Sequence, residues 1–145
     1  MAALTQDRNT VRMDGTLRRG TVAAATLIYA GAIAMLNADG DLVEGQAATG
    51  LVGVGRANAR ADNTTGAAGD LTLDYEVGTF RYANSAGADE ITTAAIGQPC
   101  YAVDDQTVAL TDGTGTRSPA GVIDGLDASG VWVRFDAALT TIAAA

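Results

Sequence analysis

Side chains able to do chemistry fall in a few short clusters of this chain. Asp104 and Asp105, in "VDDQTV", could supply paired carboxylates for acid–base work or oxygen ligands for a hard cation. "NADGD", from Asn37 to Asp41, has the look of a calcium loop, and "GVGRAN", from Gly53 to Asn58, begins like a phosphate-cradling glycine fingerprint. Spacing weakens each of them. Adjacent side chains on a strand or turn point apart, so "VDDQTV" reads as a hairpin turn. "NADGD" puts Leu42 where an EF-hand needs its sixth-position glycine, and flanking helices are missing. "GVGRAN" lacks the third glycine and lies in a β pattern with no helix following. "TDGTGT" further on reads as a turn or surface loop.

The residue types that are absent narrow the chemistry further. The chain contains no His and no Lys, and Cys100 is its one cysteine. Ser–His–Asp and Cys–His arrangements, histidine or cysteine-cluster zinc sites, a Walker A loop and a Schiff base are all excluded. A lone cysteine also implies no internal disulfide. A glycosidase using carboxylates alone would need two acids about 5–10 Å apart in a deep cleft. Leu, Ile, Val and Phe total 30 of 145 residues, which leaves little bulk to build one. The expectation is therefore a protein with no catalytic residues, no metal and no cofactor.

Trp132, in "GVWVRF", shares one strand face with Arg134, while Val131, Val133 and Phe135 lie on the other. Trp132 and Arg134 are read as a subunit interface in preference to a ligand platform. Aromatic residues make up only 5% of the chain, few for a sugar-binding module.

Charge divides the chain in two. Residues 1–20 carry Arg8, Arg12, Arg18 and Arg19 against Asp7 and Asp14, a net +2. The remainder has five Arg against fifteen acids, a net −10. A basic arm on an acidic body points to an acidic partner for the arm, while the body would repel nucleic-acid phosphate. Leu4, Val11, Met13 and Leu17 are the arm's spaced apolar anchors. The reading is an extended arm over 1–20 and a β-rich domain over 21–145. The thin core implies burial of further surface against copies of itself or a partner. The start lacks a secretory leader's apolar stretch, and "TVAAATLIYAGAIAML" is too short to span a bilayer. A soluble protein made in a cytoplasm is expected.

The elements that must position these residues are strands. "LTLDYEV", Leu71 to Val77, alternates strictly, with Leu71, Leu73, Tyr75 and Val77 on one face. Phe80 and Tyr82 continue one residue out of phase, so Gly78 marks a bulge or tight turn. "GLVGVGRANA" reads as a glycine-thinned strand, "ADNTTGAAGD" as a polar loop and "EITTAAIG" as one helical turn ending at Gly97. Strands follow at 100–103, 107–110, 120–124 and 131–135. Short strands at intervals of about ten residues predict an all-β fold, a compact barrel or sandwich of antiparallel strands. No long helical period competes.

The stretch "GQPCYAVDDQTVALTDGTGTRSPAGVIDGLDASGVWV", with "ALTQDRNT…MDG", "IYAGAIAMLNADG" and "FRYANSA", resembles the small capsid cement (decoration) proteins of tailed phages, particularly Mu-like phages and prophages. The resemblance spans nearly the whole chain. It implies a β-rich virion protein that docks on the outside of an HK97-type shell, with the major capsid protein as partner. It further implies trimers at three-fold or quasi-three-fold positions that reinforce the expanded head, and it brings no catalytic residues. The capsid-contact residues are then those of the arm: Leu4, Arg8, Val11, Arg12, Met13, Leu17, Arg18 and Arg19. The alternative is a β-sandwich attachment module for a host glycan or receptor.

Overall fold

A computed structural model describes residues 2–144. Five strands form an antiparallel sheet in the order β1 (Leu17–Thr21), β7 (Thr72–Glu76), β5 (Val52–Ala57), β3 (Ile33–Leu36), β4 (Leu42–Glu44). Five more close into a barrel: β10 (Thr107–Ala109), β8 (Thr79–Asn84), β12 (Gly130–Arg134), β11 (Pro119–Asp127) and β9 (Pro99–Ala102). β2 (Thr26–Ile28) and β6 (Ala61–Asn63) pair as a separate ribbon. The fold is all-β.

The open sheet curls until its two ends meet. Val22, just past β1, bridges Leu42 of β4, and the Ala23 N–H donates to the Leu42 carbonyl at 3.0 Å. β3 is buried on both faces, which is why "IAML" reads as an unbroken apolar run. Its Ile33 and Met35 join the barrel core around Val131, Val133 and Phe135. Its Ala34 turns to a second core with Val22, Leu42 and Val54. The two layers come close where Gly53 of β5 lies against the main chain of Ala120 in β11.

Turn chemistry sets the connections. The Asn37 side-chain oxygen accepts the N–H groups of Asp39 and Asp41, and Gly40 takes a positive φ of 83°, closing the β3–β4 hairpin. Asp104 accepts the Gln106 N–H between β9 and β10, and Asp127 accepts those of Ser129 and Gly130 between β11 and β12. Gly78 is where the chain leaves the sheet at β7 and enters the barrel at β8. The change of alternation phase at that point is a change of layer.

Several expectations need correcting. β10 and β8 pair in parallel, closing the barrel against the otherwise antiparallel pattern. Ala61–Asn63, read as part of a polar loop, is strand β6; Asn63 is buried and donates to the Ala23 and Ala67 carbonyls at 2.9 and 3.0 Å. The extended arm becomes strand β1 already at Leu17, because residues 17–21 find β7 beside them. Leu71 is exposed, while Leu73 is buried and Tyr75 is partly buried. A helix unforeseen in the sequence, α1 (Ala137–Ala144), ends the described chain, with Asp136 accepting the N–H groups of Ala138 and Leu139.

Candidate functional site

The arm is rooted at the outer strand of the open sheet. Leu17 pairs with Glu76, and the Val77 N–H donates to the Thr16 carbonyl at 2.9 Å. Arg19 Nε donates to Asp74 Oδ1 at 2.7 Å, which holds the Asp74 carboxyl below the usual carboxylate range. Arg18 Nη1 donates to the carbonyls of Gly15 and Leu17 at 3.0 and 2.9 Å. Arg18 thereby caps part of the strand edge.

Beyond the root the chain leaves the body. Leu4, Val11 and Met13 are 72%, 88% and 73% exposed, far more than lone surface aliphatics need be. Among the described residues, the hydrogen bonds of residues 4–14 stay within the arm, from Thr10 N–H to the Arg8 carbonyl and from Arg12 Nε to Asp14. Arg12 has Asp14 and Arg19 has Asp74; Arg8 and Arg18 have no acidic partner among the described residues. Where arm and sheet meet, Met13, Leu17, Arg18, Arg19, Asp74 and Tyr75 line a shallow groove of about 460 Å³. The structure thus gathers Met13, Leu17, Arg18 and Arg19 at one groove. Leu4, Arg8, Val11 and Arg12 lie outside its lining, along the extended chain.

Trp132 and Arg134 stand on the outward face of β12, as their spacing implies, while Val131, Val133 and Phe135 fill the barrel. Trp132 is tied into a polar cluster. Its Nε1–H donates to Asp127 Oδ2 at 3.0 Å, and the Arg81 guanidinium lies 5.6 Å from its ring centroid. Arg81 also stands 3.6 Å from the same carboxylate. The backbone N–H of Ser129 and then the indole N–H hold Asp127 below the ordinary range. The indole donor and part of its surroundings are therefore already engaged within the chain. Arg134 sits opposite Thr79 on β8 and takes no part in that cluster.

Cys100 lies in the barrel core with Sγ 3.7 Å from the Gly121 carbonyl, and burial pushes its thiol up to about 12. A thiol so placed is a poor nucleophile. The Asp104 carboxylate closes its own turn, and the Asp105 carbonyl accepts the Ile33 N–H at 2.9 Å. A cleft of about 440 Å³ beside it is lined by residues 29–32, Asp105 and Gln106, with a single carboxylate. Among the described residues no three His, Cys, Asp or Glu side chains are grouped to hold a metal. No helix among them is long and apolar enough to cross a membrane. Glu44, half-buried on β4, is raised by desolvation, and its carboxylate accepts from Gln46.

No protein-family model, curated protein or solved structure matches this chain. What the geometry offers is surface: an extended basic and apolar arm, its groove, and a closed β body.

Proposed function

We propose that this protein is a structural virion component that binds the outer surface of an HK97-type phage capsid and stabilises the expanded head, as a homotrimer at three-fold or quasi-three-fold positions. The observation that carries the reading is the arm. Leu4, Val11 and Met13 stand exposed on a stretch whose hydrogen bonds are its own, leading from a body with two packed cores. Such a segment gains order and buried area only on a partner, where it adds a strand or lies in a groove. Arg8 and Arg18 offer cations for acidic groups of the major capsid protein, while the acidic body faces solvent. The resemblance of the motifs quoted above to those of phage cement proteins points the same way. On this reading the protein has no catalytic role, and its place is the virion, on the shell exterior, after assembly in the host cytoplasm.

Co-sedimentation with expanded heads made without the protein tests the reading. The full chain should pellet at a fixed ratio to the major capsid protein, and a chain lacking residues 2–16 should stay in the supernatant with its β spectrum intact. Equal binding by the two chains would refute the role of the arm; no binding by either would refute the capsid reading.

A further inference from the structure

Several clusters of polar side chains in this protein spend their hydrogen bonds on one another or on a turn. Asp127 accepts from Trp132, Asp89 from Thr111 and Arg117, and Asp104 from the Gln106 N–H. The cleft of about 440 Å³ beside Asp105 differs from these. Its Asp105 and Gln106 bond through the main chain: the Asp105 carbonyl accepts the Ile33 N–H and the Gln106 carbonyl accepts the Ala83 N–H, both at 2.9 Å. Tyr29 likewise offers its carbonyl, to the Ala32 N–H at 3.1 Å. Among the described residues, the Tyr29 hydroxyl, the Asp105 carboxylate and the Gln106 side-chain amide have no hydrogen-bond partner.

The walls that carry these groups are fixed. One is the 29–32 turn between β2 and β3, and the other is the turn between β9 and β10 of the barrel. The bond from Ile33 to Asp105 ties the two together. The Gly31 N–H donates to the Ala57 carbonyl at 2.8 Å, and the Tyr82 hydroxyl donates to the Gly31 carbonyl at 2.8 Å. Small-ligand sites are mostly preformed hollows of about 300–1,000 Å³, often where two packed units join.

We propose that this cleft binds a neutral sugar residue, with Tyr29 as the ring it packs on and Asp105 and Gln106 as the groups that bond its hydroxyls. The chemistry selects the ligand. Tyr29 is 52% exposed and offers a flat apolar face with a hydroxyl at its tip, which suits the C–H face of a pyranose. An ionised Asp105 accepts from hydroxyls, and the Gln106 amide both donates and accepts, the mixed pattern that a ring of alcohols satisfies. Net charge on the ligand is disfavoured. The Arg60 guanidinium stands 5.4 Å from the Tyr29 ring centroid while Asp105 lines the same cleft, so a cation is opposed by the first and an anion by the second. A site for one sugar residue needs one ring, so the low aromatic content of the chain is no bar to it. None of these residues belongs to the arm or its groove. The inference goes beyond the capsid reading and does not rest on it: the sugar is held on the body while the arm engages its own partner.

Backbone and side-chain amide resonances of the isotope-labelled full chain, titrated with glucose, galactose, mannose and N-acetylglucosamine, test it. At least one of these sugars should shift the Gly31 and Gln106 signals at millimolar concentration and leave the Trp132 indole signal in place. Tyr29→Ala and Asp105→Asn should each weaken that binding at least about tenfold, while Asp124→Asn, at an exposed acid outside the cleft, should not. Glycine and choline, a zwitterion and a cation, should cause no shift. No shift with any of the sugars up to about 50 mM, shifts centred on Trp132, undiminished binding by either cleft variant, or binding of glycine or choline in place of a sugar would overturn the proposal. Should Tyr29→Ala alter the circular dichroism spectrum, Tyr29→Leu, which keeps bulk without the ring, decides by the same criterion. The free protein is used throughout, so the result stands apart from whether heads are bound.

Discussion

Among the glycines, Gly53 leaves the least room for a side chain, and Gly53→Ala is the substitution with the clearest expected effect. A Cβ there would lie 1.8 Å from the Ala120 carbonyl oxygen, 2.5 Å from its carbon and 2.7 Å from its Cα. Ordinary carbon contacts sit at about 3.5–4.0 Å. The obstacle is main chain, so no side chain can swing aside. Gly53 is held on β5 by its pairing with Met35, and Ala120 is held in the closed barrel between β9 and β12. Relief therefore requires the sheet and barrel to part along their seam. Overpacking of a core typically costs about 1–3 kcal/mol, and a clash between two fixed backbones belongs at the top of that range. For a chain of this size about 3 kcal/mol lowers Tm by about 6–12 °C. Gly125→Ala is the control, because nothing lies within 4 Å of its Cβ position and its φ is outside the left-handed region. Reduced freedom of the unfolded chain should leave that variant unchanged or more stable by about 0.4–1 kcal/mol. Thermal melts of the three proteins at equal concentration decide. A Gly53→Ala melt within about 2 °C of wild type, or an equal fall for Gly125→Ala, would refute the packing argument.

Two further outcomes follow from buried or half-buried polar contacts. Ser118 is buried, accepts the Leu51 N–H at 3.0 Å and donates to the Ala48 carbonyl at 2.6 Å. Ser118→Ala strands both groups and should cost about 1–3 kcal/mol, read as a lower urea midpoint at constant slope; an unchanged midpoint would show that the 48–51 loop is held by other means. Asp89 is kept below the ordinary carboxylate range by the Thr111 hydroxyl and then by Arg117. A carboxylate lower in the folded than in the unfolded chain stabilises above the unfolded pKa of about 3.9, and that contribution disappears as pH falls through the folded value. Asp89→Asn should therefore melt below wild type near neutral pH, with the gap closing below about pH 4; a gap that persists undiminished in acid would refute the linkage.

Much of the fold was legible because strand alternation is local. β12 and the residue after it carried inward Val131, Val133 and Phe135 and outward Trp132 and Arg134 in plain view, and β9 to β11 lay close to where turn residues bounded them. The single turn before Gly97 was also legible, since a positive φ of 91° suits a glycine. β6 was missed because Asn63 earns its burial from carbonyls of a distant segment, which no local hydropathy reveals. Helix α1 was missed because its exposed face is the apolar one, so it carries no core-facing stripe; the signals available were Asp136 as a cap and the alanine run after it. For the candidate site, the residue types of the arm were readable, while the groove that joins Met13, Leu17, Arg18 and Arg19 to Asp74 and Tyr75 depends on β1 pairing with a strand over fifty residues away.

By itself the sequence determined what chemistry is unavailable, since His and Lys are absent, and where the chain turns, since Asn37, Asp104 and Asp127 each close a turn within four residues. It also determined that the arm is basic and the body acidic. Tertiary structure alone decided that β8 and β10 run in parallel to close the barrel, that β3 is covered on both faces, and that Gly53 meets Ala120. It also left Leu139 and Ile142 outside while Thr140 went in. Turns and charge act over a few residues or through composition, so they can be read along the chain. Which face of an element is covered depends on what folds against it, and that is fixed only when distant strands have met.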